Sequence, residues 1–230
     1  MLKNKSKKIY TVIIVLLFTV ITSGAVFFEL YELGQRTAVQ NVYKVTIEMA
    51  PEQQLLKPEI SVPLQKAAPE FPLYFQWDER WGNEKYGDAT IALNGCGPTC
   101  LSMVVTGLTG NEECSPKLVA AFSDAMGYYE NGVGSNWLLM TDGASYFGIH
   151  GEIEFLSEEE LMEKLLNHQP VICAMGPGDF TVTGHFIVIT DYQEGGFVVH
   201  DPNSKKNSAV LWSYERLIPQ VRNMWVYAKN

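Results

Sequence analysis

Basic residues, histidines and cysteines are all scarce in this chain, and each shortage closes off a class of function. Among 230 residues, 17 Lys and Arg stand against 26 Asp and Glu, a net charge of −9. Residues 71 to 230 are more lopsided still, with 9 basic against 20 acidic side chains. A surface of that sign does not attract a polyphosphate, so nucleic acid is not expected as a partner. The four histidines, His150, His168, His185 and His200, are scattered, and Cys96 and Cys100 lie four apart rather than in a Cys-x-x-Cys knuckle. No metal is therefore implied, and no other cofactor either. Four cysteines lack the density of a disulfide scaffold; a Cys100–Cys114 bridge is conceivable, with nothing in the sequence to support it. No internal repeat stands out, and no Gly-x-x-x-x-Gly-Lys-Ser/Thr loop is present to couple the chain to nucleotide hydrolysis.

What the chain does have begins with an amphipathic contrast at its start. Lys3, Lys5, Lys7 and Lys8 precede an uncharged, mostly apolar run from Tyr10 to Phe28, about one bilayer of helix at the usual rise per residue. Residues 1–31 are expected to form a single-pass membrane anchor with the lysines in the cytoplasm and the rest of the chain outside. The rival is a cleaved signal peptide, since Ser23-Gly24-Ala25 offers small residues to a signal peptidase. The apolar run continues past that point through Val26, Phe27 and Phe28, which favours the anchor. No cysteine lies there to carry a lipid. Residues 32–70, with Pro51, Pro58, Pro63 and Pro69, read as a stalk in which Tyr43 to Ile47 alternates like a short strand.

The folded domain is expected over 71–230. A helix should start around Cys96, with Pro98 suited to its first position and Leu101, Val104, Val105 and Leu108 on one face. Ser115 and Pro116 open a second helix with Leu118, Phe122 and Met126 on one face and Gly127 to stop it. The spacing predicts a third helix from about Asn136 to Phe147, a strand at Ile153 to Leu156, and a fourth helix introduced by the capping box Ser157/Glu160. After Pro170 the pattern turns extended: Val171 to Met175, Phe186 to Tyr192, Phe197 to Asp201, Val210 to Trp212 and Met224 to Tyr227. Helices first and strands second argue for an α+β domain, a helical half packed on an antiparallel sheet.

Chemistry concentrates in Asn94-Gly95-Cys96-Gly97-Pro98-Thr99-Cys100. A thiol at a helix start meets unpaired backbone N–H groups and the positive end of the dipole, both of which favour the thiolate. Cys96 is the candidate nucleophile; a structural cysteine is the plainer reading. A nucleophilic cysteine needs a base and a group to orient that base. His185 opens one strand and Asp201 closes the next, across the turn Gln193-Glu194-Gly195-Gly196. The two can share a face only with an odd-length turn or one bulge, because side chains alternate with period two. Asp201 could then fix the imidazole tautomer while the other ring nitrogen serves Cys96. His200, one residue earlier, should face away, and His150 and His168 read as surface residues.

Phe71-Pro72-Leu73-Tyr74-Phe75-Gln76, Gly95-Cys96-Gly97-Pro98-Thr99, Gly184-His185-Phe186-Ile187-Val188 and Asp201-Pro202-Asn203, in that order, resemble the papain-like cysteine peptidases related to bacteriocin (double-glycine) leader peptidases. The resemblance covers 71–230. It implies a papain-like fold, Cys96 as nucleophile, His185 as general base and acid, Asp201 as the orienting carboxylate, and a peptide or protein substrate. It also implies a glutamine as oxyanion donor, for which Gln76 is the match and Asn94 the reserve. The loop Met175 to Phe180 is expected to line the cleft. Amidases, isopeptidases and transferases would use the same acyl-thioester chemistry. A surface module that binds peptide or cell-wall material without catalysis is the reading from another class.

Overall fold

The computed structural model describes residues 70–230, so the anchor, the stalk and the Tyr43 to Ile47 strand lie outside the described residues. Among the described residues no helix is long and apolar enough to cross a membrane. The helical half is built on α1, Cys96–Thr109, and α2, Pro116–Ala125. Every residue of α1 from Gly97 to Thr106 is buried, a helix enclosed all round rather than on one face. Its hydroxyls are satisfied by carbonyls: Thr99 Oγ1 donates to Gly95 O, Ser102 to Cys114 O and Thr106 to Asn111 O. Gly107 lets the Phe71 ring lie directly on the helix, since a Cβ there would sit 2.1 Å from the ring. Gly110, at φ 74°, ends it in a left-handed cap.

Helix α2 starts as expected, with the Ser115 hydroxyl accepting from Leu118 N and Pro116 in the first turn. Its buried face is offset from the expected one: Val119, Ala120 and Ser123 are buried, while Leu118 and Met126 are exposed. Phe122 reaches Tyr128, Tyr146 and Phe147, a small aromatic cluster that takes the place of a deeper contact. The single helix expected from Asn136 to Phe147 is instead a 3-10 turn, Trp137–Met140, and a short helical turn, Asp142–Ser145. The Met140 carbonyl accepts from Tyr227 Oη at 2.9 Å instead of from the helix, and Thr141 at ψ −82° breaks the run. Helix α3, Glu158–Leu166, carries both bonds of the Ser157/Glu160 capping box.

Six strands make one antiparallel sheet. They are β1 Ile149–Ile153, β2 Val171–Met175, β3 His185–Gln193, β4 Gly196–His200, β5 Leu211–Trp212 and β6 Val221–Lys229, in spatial order β1-β6-β2-β3-β4-β5. The strand expected at Ile153 to Leu156 thus falls earlier, directly after Gly148, where Ile149 is fully buried. It stands at the sheet edge against β6, so the last strand of the domain is held between β1 and β2. Alternation along the strands supplies two cores. Ile172, Ala174, Phe186, Val188, Trp225 and Tyr227 pack with α1, and Val171, Cys173, Ile187, Ile189, Met224 and Val226 pack with Leu161 and Leu165 of α3.

Candidate active site

Gly95 precedes α1, and Cys96 is its first residue rather than the residue before it; Pro98 falls third. No N–H is lost by that placement, because the first-turn donors have no partner within the helix. Gly97 is required for close approach: a Cβ there would lie 2.5 Å from Ser135 Oγ. Ser135 Oγ in turn bonds Tyr86 Oη at 2.8 Å, and Tyr86 Oη also meets Ser123 Oγ at 2.9 Å. This buried chain of hydroxyls fixes the glycine-rich loop against the helix start.

Strand β3 begins at His185, which lines the same cleft as Cys96 at the start of α1. Its pairing with β4 runs Val188↔His200 and Ile189↔Val199, then shifts to Asp191↔Val198 and Gln193↔Gly196. The turn is therefore the two residues Glu194 and Gly195, and the parity change comes from a bulge at Thr190 rather than from the turn glycines. Continued past the bulge, the register sets Asp201 opposite Ile187, on the face that His185 shares. The side chains meet: His185 Nε2 to Asp201 Oδ1 is 2.8 Å, with His185 8% and Asp201 1% exposed.

Asp201 is over-determined. Its Oδ1 also accepts from Asn203 N, its Oδ2 accepts from Asn207 Nδ2 at 2.8 Å, and its own N–H donates to Ser208 Oγ. Asn207 was not legible in the sequence, since it lies in a short polar helical turn, Lys205–Ser208, with no period to mark it. Asn203 contributes its backbone rather than its side chain.

Cys96 is half-buried and lines the same cleft as His185. Burial works against ionisation of its thiol, but the His185 hydrogen bond and charge, with the Phe186 and Gly97 amides, outweigh it and hold the thiol below its ordinary value. Burial likewise works against the imidazolium, and the bonds to Asp201 and then Cys96 outweigh it and raise His185. Both shifts favour one state, thiolate beside imidazolium. The other three cysteines move the opposite way: burial raises Cys100, pushes Cys114 up to about 11 and raises Cys173. All four cysteines are free, so Cys100 and Cys114 form no bridge.

Gln76 is buried, its N–H donating to Pro202 O and its Nε2 to Ala92 O at 2.8 Å, four residues before Cys96. That bond uses one of the two Nε2 hydrogens. Its Oε1 has no partner among the described residues. Asn94 lines the cleft, but its Nδ2 is committed to Asp88 Oδ1 at 2.9 Å and Tyr129 Oη at 2.8 Å. His200 turns away to Pro72 O, and His168 is exposed. His150 is at the surface as expected, 3.0 Å from Glu152 on its own strand.

A cleft of about 510 Å³ opens at Cys96 and His185 between the helical half and the sheet. Met175 and Gly176 line it as expected, whereas Asp179 pairs with Arg216 and Phe180 packs on Trp212 away from it. Its other wall is the loop Gly132 to Ser135 with Trp137. Among the described residues no cluster of His, Cys, Asp and Glu is arranged to hold a metal.

A search of curated proteins returns no match. Among solved structures the chain is similar to one described as a C39-like peptidase from Bacillus anthracis, at 15% identity and a TM-score of 0.46, covering 70% of this chain and 96% of that one. It is also similar to the peptidase domain of Streptococcus ComA, a bi-functional ABC transporter involved in a quorum sensing pathway. That match has 18% identity and a TM-score of 0.44, over 60% of this chain and 93% of the other. The model of the Peptidase_C39 like family matches residues 69–230, the whole of the described domain, and the chain belongs to that family.

Proposed function

We propose that the protein is a cysteine peptidase that hydrolyses a peptide or amide bond through Cys96, His185 and Asp201. The observation that carries this reading is that Cys96 and His185 line one cleft, with His185 Nε2 bonded to Asp201 Oδ1 at 2.8 Å. The Cys96 thiolate attacks the carbonyl carbon, and the oxyanion that forms is met by the Cys96 N–H and the remaining hydrogen of Gln76 Nε2. The His185 imidazolium gives its proton to the leaving amine as the C–N bond breaks, leaving a thioester on Cys96. Water, deprotonated by His185, then attacks the thioester; the acid departs and the thiolate–imidazolium pair is restored. Asp201 keeps the ring oriented and stabilises its charge in both steps.

The reading is tested with a small thiol-reactive probe followed by location of the labelled residue. Cys96 should react below the pH at which a free thiol ionises, while Cys100, Cys114 and Cys173 stay unlabelled in the folded chain. Cys96→Ala should abolish turnover with the fold intact. Labelling of Cys96 no faster than a model thiol, unchanged in His185→Ala, would sink the peptidase reading in favour of a binding module.

The same proposal extends to placement. Four lysines ahead of the apolar run Tyr10 to Phe28 support an anchor with the catalytic domain on the outer side of the membrane.

A further inference from the structure

Of the three described arginines, two are held by carboxylates in two-point contacts: Arg80 by Asp78 and Arg216 by Asp179. The third, Arg222, makes no ion pair among the described residues, although 20 acidic side chains outnumber 9 basic ones over residues 71 to 230. It is exposed, and it lines the catalytic cleft. In a domain this acidic, an arginine without a carboxylate leaves its two-point site open for one brought from outside.

Its position is built rather than incidental. Strand β6 shifts register between Val221 and Asn223, so Arg222 is the unpaired residue of a bulge, a device that re-aims a side chain. Its guanidinium lies over Gly176, where a Cβ would sit 2.3 Å from Nε and 2.9 Å from Nη2, so the glycine leaves room for this placement. Val221 pairs with Met175, and Met175 pairs with His185. Two strand spacings of about 4.8 Å separate the Arg222 backbone from that of His185, and an extended peptide advances about 3.3 Å per residue. The guanidinium therefore falls beside a substrate side chain one to three residues from the bond attacked by Cys96. The opposite wall has the opposite sign: Asp88, held by Tyr129 Oη and Asn94 Nδ2, faces the same cleft.

We infer that Arg222 is a specificity-determining residue that binds a substrate carboxylate, carried by an Asp or Glu side chain within three residues of the scissile bond. This rests on the peptidase reading of the cleft. Glu over Gln at that position should be favoured roughly 5- to 30-fold, and the preference should shrink as salt is raised.

The test separates binding from turnover. The full chain carrying Cys96→Ala is exposed to a positional peptide library with amidated C-termini, and bound peptides are read out. Enrichment of Asp and Glu at one position is expected, lost in Cys96→Ala/Arg222→Gln and turned toward Lys in Cys96→Ala/Arg222→Glu. No enrichment, or enrichment indifferent to Arg222, overturns the inference; so does binding that appears only when peptides without acidic side chains keep a free C-terminal carboxylate. If the unsubstituted chain cleaves library peptides without regard to acid, the inference falls and the peptidase reading stands. If acidic peptides bind through Arg222 and none is cleaved, the peptidase reading falls, and with it the placement beside a scissile bond, while the carboxylate contact with Arg222 stands.

Discussion

At the scale of single residues, the decisive property is the inversion of two ordinary values. A free thiol ionises near 9.0 and a free imidazolium near 6.5, so uncoupled they would stand as thiol and neutral ring between those limits. Here the thiol is lowered and the imidazole raised, and both shifts favour the charged pair between those limits. Alkylation of Cys96 should therefore rise with pH on a limb below 9.0, and turnover should fall on a second limb above 6.5, where His185 loses its proton. His185→Ala leaves burial as the main influence on Cys96 and should move the first limb up past 9.0; a limb that stays in place would show that the helix start alone activates the thiol. Gln76→Ala should lower kcat by roughly 100- to 1,000-fold with KM little changed, as loss of one oxyanion donor does. Asn94→Ala, whose amide is already engaged by Asp88 and Tyr129, should cost much less, and the reverse order would exchange their roles. The approach of His185 to Asp201, and of His185 to the cleft that Cys96 lines, was legible from residue types at telling places. Asn207 and Arg222 were not, because a lone amide in a polar turn and an arginine at a strand start have many uses and no period.

At the scale of elements, local signals that depend on neighbours in sequence could be read, and those set by distant partners could not. The Ser157/Glu160 box and the Ser115 cap are satisfied within four residues, and both helices start where expected. The run after Asn136 breaks because Tyr227, 87 residues away, takes the Met140 carbonyl. Parity demanded an odd turn or a bulge between His185 and Asp201, but its place at Thr190 depends on how two strands twist together. The start of α1 makes the sharpest prediction at this scale. Gly97→Ala drives a methyl into Ser135, with 2.5 Å to Oγ and 2.7 Å to Cβ, and should destabilise the domain by about 1–3 kcal/mol, the usual cost of overpacking. Adding Ser135→Gly should recover part of that loss. Thermal melts of the two single variants and the double give the coupling, and strictly additive losses would mean that the contact does not set the spacing.

At the scale of the whole molecule, an acidic domain behind a basic, apolar leader predicts a definite topology. Protease added to intact cells should degrade the 71–230 domain while residues 1–31 stay with the membrane. A mature chain beginning near Val26 and free in the medium would replace the anchor with a signal peptide. The α+β order of helices and then strands was legible; the return of β6 to the middle of the sheet was not, because nothing in a strand's own sequence names its neighbours. That return has a consequence for how the protein is made. Trp225 and Tyr227, which complete the core beneath α1, and the strand joining β1 to β2 are translated twenty or more residues after Asp201. A nascent chain that has not yet made β6 thus holds Cys96, His185 and Asp201 without the strand that closes the core beneath α1.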